Sequence, residues 1–264
     1  MTTAAAEPTA PASTWTNPAD GSEMIVIPAG PFLVGRDRLP AAAPAFSLAR
    51  HPVTNAQFAR FLEATGHRPD PAHPENGKFL SHWTRGRPPK ALEQHPVTWV
   101  SLVDALAYLR WAGLTLPTEW FWEKAARGDD GRRFPWGDEL PYDRRRHRRT
   151  DPSTLVRVSA DGTRAVGSYP RTRTPYGCED LVGNVSEWCL TTPEGDYGRP
   201  PPDAAPQLPI GEAAAGRSVV RGACFLRTTE RSLEAAGRRF LSMTRRNAWT
   251  GFRAASNATA APGA

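Results

Sequence analysis

The sequence predicts a loop-rich α+β domain, and three observations carry that expectation. The 264 residues include 27 prolines and 22 glycines, which punctuate the chain so closely that only short elements fit between them. Nine tryptophans are spread among these turns, where they can anchor loops into a core. Period-2 and period-3.6 hydrophobic patterns both occur, each over short spans. Length alone allows one large domain or two small ones. No internal repeat is visible, which favours one. No apolar run approaches the ~18 residues that a membrane span needs.

Taken in order, Met1–Thr16 is rich in Ala, Pro and Thr and lacks the basic and apolar regions of a secretory signal. Residues 1–21 therefore read as a disordered tail, as do 257–264, leaving 22–256 as one domain with the cytoplasm as its expected location. Met24–Ile27 and Phe32–Gly35 are β-rich runs around Pro28-Ala29-Gly30-Pro31, the pattern of a hairpin. Thr54 and Gln57 form a capping box at the head of a helix whose apolar face holds Phe58, Phe61 and Leu62. Residues 64–94 are irregular; their His67, His73 and His82 match no helical pair of metal ligands. His95–Val100 reads as a strand leading into a second helix, capped by Ser101 with Asp104 and striped by Leu102, Ala105, Leu106 and Leu109. Leu116-Pro117-Thr118-Glu119 opens a third helix that passes through Trp122, Ala125 and Ala126 and stops near Gly128. Strands are expected at 218–225 and 251–255.

The net charge of +6 is carried almost entirely by arginine and spread along the chain. The exception, Arg144-Arg145-Arg146-His147-Arg148-Arg149, reads as a solvated loop, and no nucleic-acid motif accompanies it, so a nucleic-acid partner is not expected. Cys178, Cys189 and Cys224 are too few and too irregular for a disulfide framework or a zinc site. Each fits a small buried hydrophobe.

The chain is organised around Asp180-Leu181-Val182-Gly183-Asn184-Val185-Ser186-Glu187-Trp188. Carboxylates at Asp180 and Glu187 bracket a glycine turn, and calcium takes carboxylate and carbonyl oxygens together. The spacing also fits a polar turn ahead of a buried tryptophan.

This stretch resembles the Gly-Asn-Val-x-Glu-Trp signature of the formylglycine-generating enzyme (sulfatase-modifying factor) superfamily. Other segments agree in the same order: Pro52-Val53-Thr54-Asn55, Leu116-Pro117-Thr118-Glu119 through Glu123-Lys124-Ala125-Ala126-Arg127-Gly128, Pro135-Trp136-Gly137, Arg221-Gly222-Ala223 and Gly251-Phe252-Arg253. The resemblance covers about 22–256. It implies that superfamily's variant of the C-type-lectin-like fold. It also implies a structural calcium ion held by Asp180, Gly183, Val185 and Glu187. A second calcium site of the family would fall near 145–165, where the sequences agree poorly, and is not expected here.

Formylglycine-generating enzymes oxidise a sulfatase cysteine with O₂ and a Cu(I) held by two cysteines, because soft thiolates suit Cu(I). In this sequence the two copper positions fall on Arg227 and Ser232, and no cysteine lies beyond Cys224. The resemblance therefore implies a divergent oxidoreductase acting on a small or carrier-bound metabolite of a biosynthetic pathway, not a sulfatase-activating enzyme. Its pocket would lie between 187–190 and 222–232, with Cys224, Arg227 and Ser232 inside. A redox metal, Fe or Cu, would be inherited from the family without a recognisable ligand set. The alternative is a lectin-like module that binds a ligand or protein without catalysis. Neither the substrate nor the oligomeric state can be read from these residues.

Overall fold

Short runs of β-branched and aromatic residues, cut by Pro, Gly and Asn, pair into two four-stranded sheets. The computed structural model describes residues 13–140, 162–191, 216–226 and 230–261, with the backbone of two short strands between 141 and 150. In the first sheet the order is β1 (Thr14–Thr16), β2 (Glu23–Ile27), β5 (Phe46–Ala49) and β12 (Ala255–Ser256), antiparallel throughout. The second runs β10 (Arg238–Ser242), β9 (Arg217–Arg221), β8 (Ser186–Trp188), β11 (Thr250–Gly251), with β8 and β11 parallel. Strands β3 (Gly30–Val34) and β4 (Leu39–Ala43) form a hairpin, as do β6 (Tyr142–Asp143) and β7 (Arg148–Arg149). This is a loop-rich α+β architecture.

Three helices carry the core. In α1 (Asn55–Thr65) and α2 (Leu102–Ala112), both expected capping boxes are formed, by Thr54 with Gln57 and by Ser101 with Asp104. Helix α3 (Glu119–Arg127) is capped by Thr118 and closed by Gly128. A fourth, α4 (Glu230–Leu233), is a single turn. One core cluster packs α3 on the first sheet, where Phe46 and Phe121 stack at 4.1 Å. The other packs α1 and α2 against residues of both sheets, among them Met24, Ala49, Trp188 and Val220, with Phe58 stacked on Tyr108 at 5.7 Å. Each such buried ring stabilises by about 1.5–3 kcal/mol through removal of apolar area from water.

Several expectations need correction. The N-terminal boundary at 22 is too late. Trp15 is buried in β1 and donates to Ser47 Oγ at 2.9 Å. Asp20 is buried too, taking donors from Asn17, Ser22 and the Tyr108 hydroxyl at 2.7–2.9 Å. An isolated Trp in an Ala/Pro/Thr-rich stretch gave no periodic signal. At the other end, the Ala258 carbonyl accepts from Ser47 Oγ at 2.7 Å, inside the stretch assigned to the tail.

The expected hairpin over 24–35 does not form. β2 and β3 belong to different sheets, because Lys124 Nζ reaches the Pro28 and Gly30 carbonyls at 2.8 and 3.1 Å and holds the connection open. Within His95–Val100 the expected strand reduces to a bridge between Thr54 and Pro96, with Val97 N donating to the Val53 carbonyl at 2.8 Å, and Trp99 breaks the run at φ 59°. The side chains of Arg144–Arg149 lie outside the described residues.

Candidate functional site

The stretch 180–188 folds as a turn through three left-handed residues, Asp180 (φ 57°), Gly183 (97°) and Asn184 (62°), then enters β8. Asn184 satisfies a neighbouring chain with its side chain. Its Oδ1 accepts the Arg164 N–H at 3.0 Å, and its Nδ2 donates to the Arg164 carbonyl at 3.1 Å. Asp180 Oδ2 accepts the Gly167 N–H at 2.8 Å; burial pushes its carboxyl above the usual carboxylate range.

The turn lies directly against the segment that follows β9. Gly183 N donates to the Ala223 carbonyl at 3.1 Å, and Phe225 N donates to the Asn184 carbonyl at 3.0 Å. Gly222 makes this approach possible. A Cβ there would sit 2.5 Å from the Leu181 carbonyl oxygen, and its φ is +76°. The structure thus brings together the two segments that the sequence singled out, with Glu187 opposite Arg221 in register.

Behind them lies a buried ionic layer that sequence reasoning missed. Arg253 and Glu187 are both 0% exposed. Every N–H of the Arg253 guanidinium is used: two reach Glu187 Oε1 and Oε2 at 2.7 Å, and the others reach the carbonyls of Ala49, Arg50 and Glu179 at 2.8–3.0 Å. Burial works against the charge on Arg253, but Glu187 beside it more than offsets this and holds the group above its ordinary range. Trp122 Nε1 donates to Glu187 Oε2 at 2.8 Å. From α3, Glu119 takes Arg238 at 2.6 and 2.7 Å, and Glu123 takes Arg127 at 2.7 Å together with Arg221. The third-helix string is therefore a set of buried charges as well as anchors. Its i, i+4 spacing of Glu119 and Glu123 was the available signal.

In front, Cys224 is 1% exposed, Ser232 is half-buried at α4, and Arg227 lies outside the described residues. Arg239, one of the arginines of the segment before Gly251-Phe252-Arg253, donates to Ser186 Oγ and to the Gly222 carbonyl at 3.0 Å, and lies 5.3 Å over the Trp249 ring. This pair gives the site a cationic and an aromatic wall. The other two cysteines are spent in the core: burial pushes the Cys178 thiol up to about 11 and Cys189 well above its ordinary value.

For a redox metal the donor set does not fit. Among the described residues no three His, Cys, Asp or Glu side chains converge, and Cys224 is the one soft donor of its segment. Calcium takes oxygen donors, and two of its expected ligands are carboxylates here. Glu187 has about four lone-pair directions, and three donors occupy them; Asp180 spends one oxygen on Gly167. Both carboxylates retain acceptor capacity.

Known proteins are similar to this chain over most of its length. The family described as "Sulfatase-modifying factor enzyme 1-like domain" matches residues 10–258. Formylglycine-generating enzyme of Mycobacterium tuberculosis is 32% identical over 257 residues, covering 74% of this chain and 82% of that protein. Hercynine oxygenase of Mycolicibacterium smegmatis is 32% identical over 206 residues, covering 65% and 46%. A Chlamydia pneumoniae protein named serine/threonine-protein kinase pkn1 is 32% identical over 250 residues; the match takes in 89% of this chain but spans 38% of that protein. Among solved structures, PvdO from Pseudomonas aeruginosa superposes with a TM-score of 0.71 at 22% identity, covering 95% of this chain and 100% of that one.

Proposed function

The chain belongs to the sulfatase-modifying factor enzyme 1-like family, and on that premise we propose that it is an oxidoreductase of a small or carrier-bound metabolite in a biosynthetic pathway. It does not, on this reading, oxidise a sulfatase cysteine. The observation that carries the proposal is that the family match runs over residues 10–258 while the substitutions fall at the copper positions, where Arg227 and Ser232 stand in place of the resembled enzymes' cysteines. A guanidinium and a hydroxyl do not hold Cu(I). The scaffold around these positions is retained, and a relative named for a reaction on hercynine supports a small substrate.

Cys224, Arg227 and Ser232 line the pocket in this account, with Arg239 and Trp249 as its wall. Arginine suits an anionic group on the substrate. Asp180, Glu187 and the carbonyls of Gly183 and Val185 hold a structural calcium ion, for which Asp180 supplies the charge because Arg253 already neutralises Glu187. Three buried, unbonded cysteines suit the reducing cytoplasm.

No helix of the described residues is long and apolar enough to cross a membrane. Loss of both copper cysteines equally favours a lectin-like binding module without catalysis, and one experiment separates the two. Purified protein is assayed for iron, copper and calcium and for oxygen uptake with candidate metabolites. Oxygen uptake that falls on Cys224→Ala supports the oxidoreductase. Binding without oxygen uptake, in a protein free of redox metal, replaces it with the module.

A further inference from the structure

A concave site lies among residues outside the Cys224 segment. Helix α1 and the irregular stretch 68–87 enclose a groove of about 640 Å³, the size of a small-ligand site. Its floor is apolar and fixed. Leu62 faces Phe79, Leu80 and Trp83. Trp83 is held by its Nε1 donating to Asn55 Oδ1 at 2.9 Å, and Phe79 is backed by the Arg246 guanidinium at 5.1 Å.

The rim is charged. Arg68 is part of the lining, and its Nη1 donates to the His67 carbonyl at 3.0 Å. Arg87 is part of the lining too, carried by a tight turn in which Arg85 (φ 52°) and Gly86 (74°) are both left-handed and the Thr84 and Arg87 backbones pair at 2.9 and 3.1 Å. Neither arginine has a carboxylate at ion-pair distance among the described residues. Glu63 is the one carboxylate in the lining, so the rim carries a net charge of one positive unit.

The backbone around the floor is strained. Leu80 (φ 49°) and Trp99 (φ 59°) are both left-handed, and Leu80 N donates to the Trp99 carbonyl at 3.1 Å. Bulky residues hold that conformation only at a cost in backbone strain, and such strain clusters at ligand sites.

We infer that this groove binds a monocarboxylate with an aryl or short acyl body. The apolar floor takes the body, and Arg68 and Arg87 take the carboxylate. The opposing Glu63 makes a dianion such as a phosphate monoester a poorer fit. The inference stands independently of the oxidoreductase reading, because it uses none of its residues.

The test is calorimetric titration of the full chain with 3-phenylpropanoate and octanoate, with 3-phenylpropan-1-ol and phenyl phosphate as comparators. Both carboxylates should bind with one-site stoichiometry, more tightly than either comparator. Arg68→Ala with Arg87→Ala should weaken 3-phenylpropanoate about ten-fold or more, since a charge-assisted hydrogen bond is lost at each. Ala59→Trp, which fills the groove, should abolish binding while circular dichroism and melting stay close to wild type. The inference fails if neither carboxylate binds at millimolar concentration. It also fails if the alcohol binds as tightly, or if the arginine variant binds as wild type does. If only octanoate binds, an acyl rather than an aryl body is assigned.

Discussion

Arg253→Ala is the most informative single substitution for the scaffold. It leaves the Glu187 carboxylate, 0% exposed, with the Trp122 N–H at 2.8 Å as its remaining donor. It also strips donors from the carbonyls of Ala49, Arg50 and Glu179. Removing one side of a buried ion pair costs about 3–5 kcal/mol, and each carbonyl left dry adds about 1 kcal/mol or less. The sum is about 5 kcal/mol, which for a domain of this size lowers the melting temperature by roughly 10–20 °C. Differential scanning fluorimetry and urea titration read this directly. With all variants measured in chelator, so that loss of the proposed calcium ligand does not enter, the double variant Glu187→Leu with Arg253→Met should recover at least half of the loss, because no charge is left unpaired. A melting temperature for Arg253→Ala within about 3 °C of wild type would refute the reasoning. So would a double variant no more stable than the single one.

Other outcomes follow from the same geometry. Gly222→Ala should cost more than about 3 kcal/mol, since its Cβ meets a backbone oxygen at 2.5 Å, whereas Gly66→Ala, with φ 65° and nothing within 4 Å, should cost about 1 kcal/mol; urea denaturation gives both. His82 donates through Nε2 to Asn55 Oδ1 at 3.1 Å and has no partner for Nδ1, and burial lowers its titration to about 4. The unfolded chain then takes up this proton near pH 6.5 while the folded one does not, so stability is lost as pH falls from about 6.5 towards 4. His82→Gln should remove about 2 kcal/mol of that pH dependence, after allowance for partial exposure, and an unchanged wild-type-to-variant difference across this range would count against it. Chelation should lower the wild-type melting temperature, and Asp180→Ala should abolish that shift; equal shifts in both proteins would move calcium elsewhere.

Much of this was legible in local sequence. Both capping boxes, the third helix and the turn at 180–188 are short-range patterns, and local chemistry specifies them. What escaped was pairing at long range. Arg253 meets Glu187 across 66 residues and Arg221 meets Glu123 across 98, and no periodicity links them. The failed hairpin at 24–35 has the same cause, because Lys124 is remote in sequence from the carbonyls it holds. At the site, the expected pocket lay between 187–190 and 222–232, whereas the contacts formed are of 183–187 with 221–225, and Arg239 could not be told apart from its neighbours in an arginine-rich segment.

The central claim is that this chain keeps the family scaffold but not its copper site. Cu(I) retention against a competing chelator, compared between wild type and the double variant Arg227→Cys with Ser232→Cys, addresses it most directly. Wild type should give up its copper, and the double variant should retain one equivalent, because two thiolates then stand at the copper positions. Stoichiometric Cu(I) held by wild type under the same competition would contradict the account.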